Sequence, residues 1–374
     1  MKKRIVIAGF GDTGLLVAVH LASAYEVVGV SPKPCLLSGQ ELGNRLTRPE
    51  AWKRDYLMDF GRYKKLDGVR TVHGLITNID TKEQRVSVDL PDGSEQVETY
   101  DVLVISSGVT NGFWRNDALE DLADITDNIA QAALKMAEAD EIAIVGGGAT
   151  GVSVAANLAD RYPHKLVHLF HSQNQPLPGY HPKVRNRIEA HLAHVGVHLH
   201  PNQRAVIPEG FRCDQLTTDA VEWSTGQRPF KADLTLWAVG NTRPNNAFIP
   251  TEMLDEAGFV EVDDVLRVPG HENVFAVGDI AASDRNRSSA RNWGYRLVAH
   301  NIGCYLQGDE KNMKRYDPPD YRWGSILGVQ KNGLQVFQPD GGSFRFPRWS
   351  VNLLLFPIAV RRVIYKGVRR AITG

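Results

Sequence analysis

The sequence lacks the features that mark several common classes of protein. It has only three cysteines among 374 residues, Cys35, Cys213 and Cys304, and their wide spacing disfavours a zinc ribbon or a dithiol redox pair. No apolar run reaches the roughly 20 residues that a membrane-spanning helix needs. Basic and acidic residues number 43 each, so the chain lacks the basic surplus of nucleic-acid-binding proteins. We therefore expect no transmembrane segment and no nucleic-acid partner.

Acidic residues are absent from the last part of the chain. No aspartate or glutamate follows Asp340, and the first 340 residues carry a net charge of −7. The apolar stretch from Trp349 to Val360 precedes five cations, Arg361, Arg362, Lys366, Arg369 and Arg370. This pattern is typical of a helix on an anionic membrane surface, with packing on the body or a homodimer contact as alternatives. Pro357 predicts two short helical pieces.

The first 24 residues imitate a secretory signal, because basic residues precede an apolar stretch. Glycines interrupt that stretch at Gly9, Gly11 and Gly14. We therefore interpret the segment as part of the fold. The expected location is the cytoplasm, peripheral on the inner face of the membrane if the C-terminal segment docks there.

Two strand–glycine–helix–strand units occur about 137 residues apart. Such alternation favours parallel sheets with helices on both faces. We predict an α/β fold with two Rossmann-like dinucleotide-binding domains and a C-terminal segment. The predicted strands and helices of the two units are Arg4–Ala8, Leu15–Ala24 and Glu26–Val30, then Glu141–Val145, Val152–Arg161 and Leu166–Phe170.

Each unit carries a glycine motif between its first strand and its helix. Glycines at such a turn let backbone N–H groups approach a pyrophosphate at a helix N-terminus. Two motifs suit electron transfer from a nicotinamide to a flavin, since one dinucleotide stays bound while the other exchanges. The residues that form these turns are Gly9, Gly11, Asp12, Thr13 and Gly14 in the first unit, and Gly146, Gly148, Ala149, Thr150 and Gly151 in the second.

Neither unit has an acidic residue at the end of its second strand, where a carboxylate commonly binds the ribose hydroxyls. Ser31 and Lys33 follow the first of these strands, and His171 follows the second. An acid at the second position would repel a 2′-phosphate. Its absence leaves both NADH and NADPH open as the co-substrate.

Gly278 and Asp279 end a third apolar strand and place a carboxylate beside a helix N-terminus. One interpretation is an N-cap for the helix that follows. The other, which we favour, is a hydrogen bond to a flavin ribityl hydroxyl.

Taken in order, these motifs resemble the FAD-dependent pyridine nucleotide–disulfide oxidoreductase superfamily, in the branch of apoptosis-inducing factor and type II NADH dehydrogenases. The stretch from Phe170 to Gln173 is similar to the ferroptosis suppressor (AMID-like) group. The segments Thr99–Gly108 and Leu236–Pro244 also match family motifs, and the likeness covers about residues 1–310.

The resemblance implies FAD at the first motif and NADH or NADPH at the second. It implies that a discontinuous FAD-binding domain, residues 1–112 and 242–315, contains an inserted NAD(P)H-binding domain, residues 113–241. Residues 316–374 then form the C-terminal region. It also adds Ser107 and Gly108 to the expected FAD site, and Gly240 to the expected NAD(P)H site.

The resulting hypothesis is an FAD-dependent NAD(P)H oxidoreductase that passes electrons to a quinone or another small acceptor. The alternatives are a reductase of a small iron–sulfur carrier and a redox-sensing flavoprotein that acts through partners. No side chain stands out as an acid–base catalyst. The family often has glutamate where this chain has Ser153, and Cys35 is expected to be structural.

Eight of the twelve histidines lie between His164 and His200. Histidines at helical or strand spacing can ligate a metal. Acidic and cysteine ligands do not accompany them in any motif, so we expect no metal and a mostly solvated histidine-rich surface.

Overall fold

A computed structural model describes residues 2–39, 41–110, 117–209, 216–239 and 243–370. The strands are β1 (Arg4–Ala8), β2 (Glu26–Ser31), β3 (Leu36–Leu37), β4 (Leu57–Met58), β5 (Val69–His73), β6 (Leu75–Asp80), β7 (Arg85–Asp89), β8 (Glu95–Thr99), β9 (Val102–Ile105), β10 (Val109–Thr110), β11 (Glu141–Val145), β12 (Leu166–Phe170), β13 (Val197–His200), β14 (Leu216–Thr217), β15 (Leu234–Trp237), β16 (Arg243–Pro244), β17 (Val274–Ala276), β18 (Val329–Gln330), β19 (Gly333–Phe337) and β20 (Ser343–Phe346).

The α-helices are α1 (Asp12–Leu21), α2 (Leu42–Thr47), α3 (Pro49–Tyr56), α4 (Leu122–Glu138), α5 (Ala149–Arg161), α6 (Pro182–His194), α7 (Gly294–Leu306) and α8 (Arg348–Ser350). A π-helix, Val351–Ile364, follows α8 directly. Short 3₁₀ turns lie at Phe60–Arg62, Lys64–Leu66, Thr251–Met253 and Glu310–Asn312.

The first sheet is parallel throughout, with strand order β17–β9–β1–β2–β5. Its central strands are apolar on both faces, as the run from Ile5 to Ala8 shows, because each face is covered by its own core cluster. The chain changes direction across the sheet at β1, which has β2 on one side and β9 on the other. Ligands of open α/β sheets bind beyond the carboxyl ends of the strands at such a point.

The second sheet has the order β13–β12–β11–β15–β14, in which β14 alone runs antiparallel. Its large core contains α5 residues such as Val152 and Leu158, together with apolar residues of α6. Strand β11 takes the same central place that β1 takes in the first sheet. The predicted α/β fold with two Rossmann-like sheets is therefore confirmed.

The sheet that begins with β1 is completed by β17, which lies about 270 residues later in the chain. Strands β10 and β16 pair with each other close to where the chain leaves and re-enters this region. The proposed boundaries at residues 112–113 and 241–242 lie in segments outside the described residues. The division into a discontinuous domain with an insertion remains a proposal.

The C-terminal segment differs from its prediction. The π-helix continues through Pro357, so the expected break into two pieces is wrong. Both ends of the segment are anchored, because Val351 at its start and Tyr365 just beyond its end are buried. Within the described ranges, no helix is both long enough and apolar enough to cross a membrane.

Two of the five cations expected to face a membrane are held by the body instead. Arg361 lies 2.9 Å from an oxygen of Asp55, and Arg369 makes a two-fold contact with Asp67 at 2.8 and 2.6 Å. The backbone N–H of Arg369 also donates to the carbonyl of Arg62. The end of the segment is thus packed on α3 and on the chain between α3 and β5.

Candidate functional site

A cavity of about 640 Å³ lies beyond the carboxyl ends of β1, β2 and β9. Both glycine motifs contribute to its wall. Ten of the eleven predicted FAD residues line the cavity, four of them from the first motif: Gly9, Gly11, Asp12, Thr13, Ser31, Lys33, Ser107, Gly108, Gly278 and Asp279. Gly14, the eleventh predicted FAD residue, is buried in the first turn of α1.

The first glycine turn is tight at its ends and open in the middle. Gly9 has φ +102°, and a Cβ on Gly14 would lie 2.2 Å from the Gly9 oxygen. A Cβ on Gly11 would meet no atom within 4 Å. Gly11 is the N-cap of α1, so the open space adjoins the unpaired N–H groups of a helix start. This cradle fits a pyrophosphate.

Asp12 holds a neighbouring loop against this turn. Its two carboxylate oxygens accept hydrogen bonds from the Ser38 hydroxyl at 2.7 Å and from the Gly39 N–H at 2.8 Å. The carboxylate therefore positions the segment that leads into α2 along the cavity wall.

Ser31 and Lys33 make contacts within the protein at the end of β2. The Ser31 hydroxyl accepts from the Lys33 N–H at 3.1 Å. The Lys33 ammonium donates to the Ala118 carbonyl at 2.7 Å and forms an ion pair with Glu120. Burial lowers the pKa of Lys33, and Glu120 opposes that effect. The lysine thus joins β2 to the chain just before α4.

Ser107 and Gly108 are held by Asn245, a residue that sequence analysis missed. The Ser107 hydroxyl donates to the Asn245 carbonyl at 2.8 Å, and the Asn245 amide donates back to the Ser107 carbonyl at 3.0 Å. Gly108 adopts φ +71°, which favours glycine. Asn245 directly follows the Leu236–Pro244 segment, which matches a family motif. This position is the sequence signal that could have identified Asn245 as a site residue.

Asp279 lies on the cavity but does not cap a following helix. The next helix, α7, begins only at Gly294, so the N-cap interpretation is wrong. The end of β17 instead lies beside the start of α1, since a Cβ on Gly278 would lie 3.2 Å from the hydroxyl of Thr13 in the first turn of that helix. The carboxylate is thus placed next to the first glycine turn.

The second glycine turn has the same design as the first. Gly146 has φ +128°, and a Cβ on Gly151 would lie 1.9 Å from the Gly146 oxygen. A Cβ on Gly148, the N-cap of α5, would meet nothing within 4 Å. The predicted Gly240 lies outside the described residues.

The second motif reaches the cavity through the first turn of α5. Ala149, Thr150 and Ser153 line it together with the predicted FAD residues. The two dinucleotide motifs therefore face a common space, an arrangement that the sequence alone did not establish.

His171 lies beneath the second glycine turn rather than on the surface. It is 4% exposed, and a Cβ on Gly147 would lie 2.6 Å from the His171 Cβ. Its Nδ1 donates to the Gln173 carbonyl at 2.8 Å, and burial lowers its pKa. The next residue, Ser172, is exposed at the strand end.

The expectation of a solvated histidine surface is wrong for part of the cluster. His168 is buried, its Nδ1 lies 3.0 Å from Nε2 of His200, and its ring stacks on that of His198 at 4.9 Å. Burial lowers the pKa of both His168 and His200 to about 4. Phe170 stacks on His200, so these rings extend the aromatic core.

The far wall of the cavity was not foreseen from the sequence. It comes from the loop before α7 and from the C-terminal region, and it is rich in arginine. Loop contacts hold it together, since Arg322 donates to the Asn286 carbonyl at 3.1 Å and Arg291 donates to the Trp323 carbonyl. Nothing in the local sequence signals that these segments meet. The residues are Asn286, Arg287, Ser288, Ala290, Arg291, Arg322, Gly324, Ser325 and Ile326.

Residues 2–301 match the family described as pyridine nucleotide-disulphide oxidoreductase. The chain belongs to this family. It is 26% identical over 334 residues to apoptosis-inducing factor homolog A of Dictyostelium discoideum, covering 83% of this chain and 79% of that protein. It is 27% identical over 334 residues to ferroptosis suppressor protein 1 of Xenopus tropicalis, covering 84% and 83%.

Solved structures share the fold. NDH2 of Plasmodium falciparum, in complex with NADH, has a TM-score of 0.68 at 15% identity and covers 99% of this chain and 100% of that one. The sulfide:quinone oxidoreductase of Aquifex aeolicus has a TM-score of 0.66 at 15% identity and covers 93% and 88%. The chain is thus an oxidoreductase of the type that uses FAD and NAD(P)H, as predicted.

Proposed function

We propose that the protein passes electrons from NAD(P)H through FAD to a quinone at a membrane surface. The observation that carries the proposal is the shared cavity. Ala149 and Thr150 of the second motif line the same cavity as Gly11 of the first motif and Asp279 beyond β17. An electron donor and a flavin bound at these motifs would meet there.

In this proposal the first glycine turn, Ser107, Gly108 and Asp279 hold FAD. The second turn, from Gly146 to Gly151, holds the nicotinamide dinucleotide. FAD supplies the redox chemistry by taking a hydride and passing on two electrons. The protein residues bind and orient the two nucleotides, with helix N-termini next to their phosphates.

The membrane part of the proposal rests on exposed side chains of the C-terminal segment. Trp349 is 62% exposed and Leu353 is 66% exposed, which is unusual for large apolar residues. Leu354, Ile358 and Val363 are exposed as well, and so are the cations Arg362, Lys366 and Arg370. Partial burial lowers the pKa of Lys366, and the nearby cations Lys65 and Arg296 lower it further.

The relatives support the choice of acceptor. One structural neighbour bears the name sulfide:quinone oxidoreductase, and another was solved with NADH. Long-chain quinones reside in the bilayer, and none of the helices in the described residues is long and apolar enough to span it, so we propose that the enzyme docks on the surface to reach them. Apolar burial and cation–headgroup attraction of about 1 kcal/mol per cation would provide that docking.

The test replaces exposed apolar residues with charge and leaves the body intact. Leu353→Asp combined with Ile358→Asp should reduce binding to vesicles of phosphatidylglycerol and phosphatidylcholine at low salt. The matched control is Leu122→Asp with Leu134→Asp, two similarly exposed leucines on α4. The test pair should slow reduction of a long-chain quinone more than that of a short soluble one. Equal vesicle binding by the two double variants would refute the membrane part.

A further inference from the structure

Glu41 is a cavity residue to which the proposed cofactor sites assign no role. It stands directly before α2 with φ 56° and ψ 42°, in the left-handed region that residues with side chains rarely adopt. Such a conformation costs free energy and persists where the surrounding structure fixes it. The backbone of Glu41 is therefore held in place by its contacts.

One oxygen of the Glu41 carboxyl group anchors the side chain. Oε2 accepts from the Val329 N–H at 2.8 Å and from the Asn44 amide at 2.6 Å. Within the described part of the chain, no hydrogen bond to Oε1 is found. The carboxyl group is thus fixed through one oxygen in a residue that lines the cavity.

The neighbouring glycines make room for this arrangement. Gly328 has φ +75°, and a Cβ there would lie 1.9 Å from Oε2 of Glu41. A Cβ on Gly43 would lie 2.5 Å from the Ser153 carbonyl, and the Gly43 N–H donates to the Ser153 hydroxyl at 3.3 Å. The start of α2 is thereby pressed onto α5. Glu41 stands where the first domain, α5 and the C-terminal region meet.

The charges around Glu41 act in opposite directions. Burial raises the pKa of its carboxyl group, while the Val329 and Asn44 hydrogen bonds and the Arg348 guanidinium act to lower it. The net effect is a raised pKa. Tyr56 of α3 also faces Glu41, and the Asp12 carboxylate, held by Ser38 and Gly39, lies on the same cavity.

We propose that Glu41 is the proton donor to the acceptor in this cavity. The inference rests on the proposed quinone reductase function. Conversion of a quinone to a quinol adds two electrons and two protons. NAD(P)H supplies two electrons and one proton as a hydride and leaves as NAD(P)⁺, so one more proton is required. The Glu41 O–H bond breaks as an O–H bond forms on the acceptor, and the carboxylate then takes a proton from water.

The kinetic test compares two acceptors in single turnovers of the holoprotein. A short soluble quinone takes up protons, whereas ferricyanide takes one electron and no proton. Glu41→Gln should slow quinone reduction about a hundredfold, the usual size of a general-acid effect. It should slow ferricyanide reduction less than about threefold. The control is Glu50→Gln, whose carboxylate on α3 is 84% exposed, and this variant should leave both rates unchanged.

The pH profile adds a second prediction. Wild-type quinone reduction should fall as the pH rises through the raised pKa of Glu41, because the donor loses its proton. This decrease of the rate with rising pH should be missing in Glu41→Gln. Glu41→Asp keeps a carboxyl group on a shorter side chain. Relative to Glu41→Gln, it should restore part of the rate of quinone reduction and part of its pH dependence.

Infrared spectroscopy gives a readout that does not depend on turnover. The resting protein, without NAD(P)H or acceptor, should show the band of a protonated carboxyl group near neutral pH. The band should be present in Glu50→Gln and absent from Glu41→Gln. Its absence from the wild type, or its presence in Glu41→Gln, would overturn the assignment.

The outcomes separate the two proposals. If the wild type reduces quinone and Glu41→Gln reduces it equally fast, the proton-donor role is refuted and the proposed function stands. If the wild type reduces ferricyanide but no quinone, the proposed function fails and the proton-donor role fails with it.

Discussion

The Tyr365 ring packs edge-on against the Tyr63 ring, with centroids 5.1 Å apart and planes inclined by 68°. Both side chains belong to the apolar core on one face of the first sheet. Gly367 extends the contact, because its carbonyl accepts from the Lys64 N–H at 3.0 Å. Residues close to the C-terminus therefore complete a core that begins with β1.

This packing predicts that Tyr365 is needed for stability. Tyr365→Ala should lower the free energy of unfolding by about 3 kcal/mol, the usual cost of removing a large buried aromatic ring. Urea unfolding of the holoprotein measures the change. The control is Phe344→Ala on β20, where the ring is 44% exposed and a much smaller loss is expected. Equal losses in the two variants would contradict the packing. Truncation after Arg348 should destabilise the protein for the same reason.

Gly11 has open space where a Cβ would lie and Gly14 does not, so replacement by valine should have a different outcome at each position. Gly11→Val places a side chain in open space, so the protein should fold but lose FAD, because the pyrophosphate needs that space. Gly14→Val places it against the Gly9 oxygen and should disrupt the fold. Circular dichroism and flavin absorbance distinguish these results. Recovery of folded Gly11→Val with full flavin content would refute the site.

The choice of nicotinamide nucleotide is predicted from the end of β12. None of the three residues directly after Phe170 is acidic, so both NADH and NADPH should reduce the protein, with discrimination below about tenfold, or 1.4 kcal/mol. Because His171 is buried, the informative variant is Ser172→Glu, which places a carboxylate on the surface at this strand end. It should shift preference towards NADH. Strong exclusion of NADPH by the wild type would show that another acid reaches the ribose.

The buried histidines predict a loss of stability in mild acid. His168 and His200 have folded-state pKa values of about 4, below the ordinary 6.5. The unfolded chain therefore binds protons first as the pH falls, and stability decreases between about pH 6.5 and 4. His168→Phe should reduce this dependence, whereas His164→Phe, at an exposed position, should not. Identical pH dependence of the unfolding midpoint in the wild type and His168→Phe would contradict this account.

Local sequence signals were enough for the elements around the glycine turns. Strands Arg4–Ala8, Glu141–Val145 and Leu166–Phe170 were predicted with their observed ends, because apolar runs next to glycines fix them locally. Helix α1 begins at Asp12, before the predicted Leu15, since the turn itself enters the helix.

Contacts between distant segments could not be predicted in this way. The burial of His168 depends on pairing between β12 and β13 and on Phe230, and the path of the π-helix depends on Tyr63. Glu41 carries no sequence signature, because its position depends on Gly328, which is 287 residues away in the chain. The cavity wall from the C-terminal region was missed for the same reason.

The most direct test of the account is a two-step anaerobic experiment on the purified holoprotein. NADH or NADPH should bleach the flavin absorbance, and a quinone mixed in afterwards should restore it. In Gly148→Val, where the added side chain enters the open space of the second turn, FAD should remain bound but bleaching should be slowed at least about tenfold. Bleaching followed by recovery in the wild type is the predicted result. Flavin that neither nucleotide reduces, or reduced flavin that no quinone reoxidises, would contradict it.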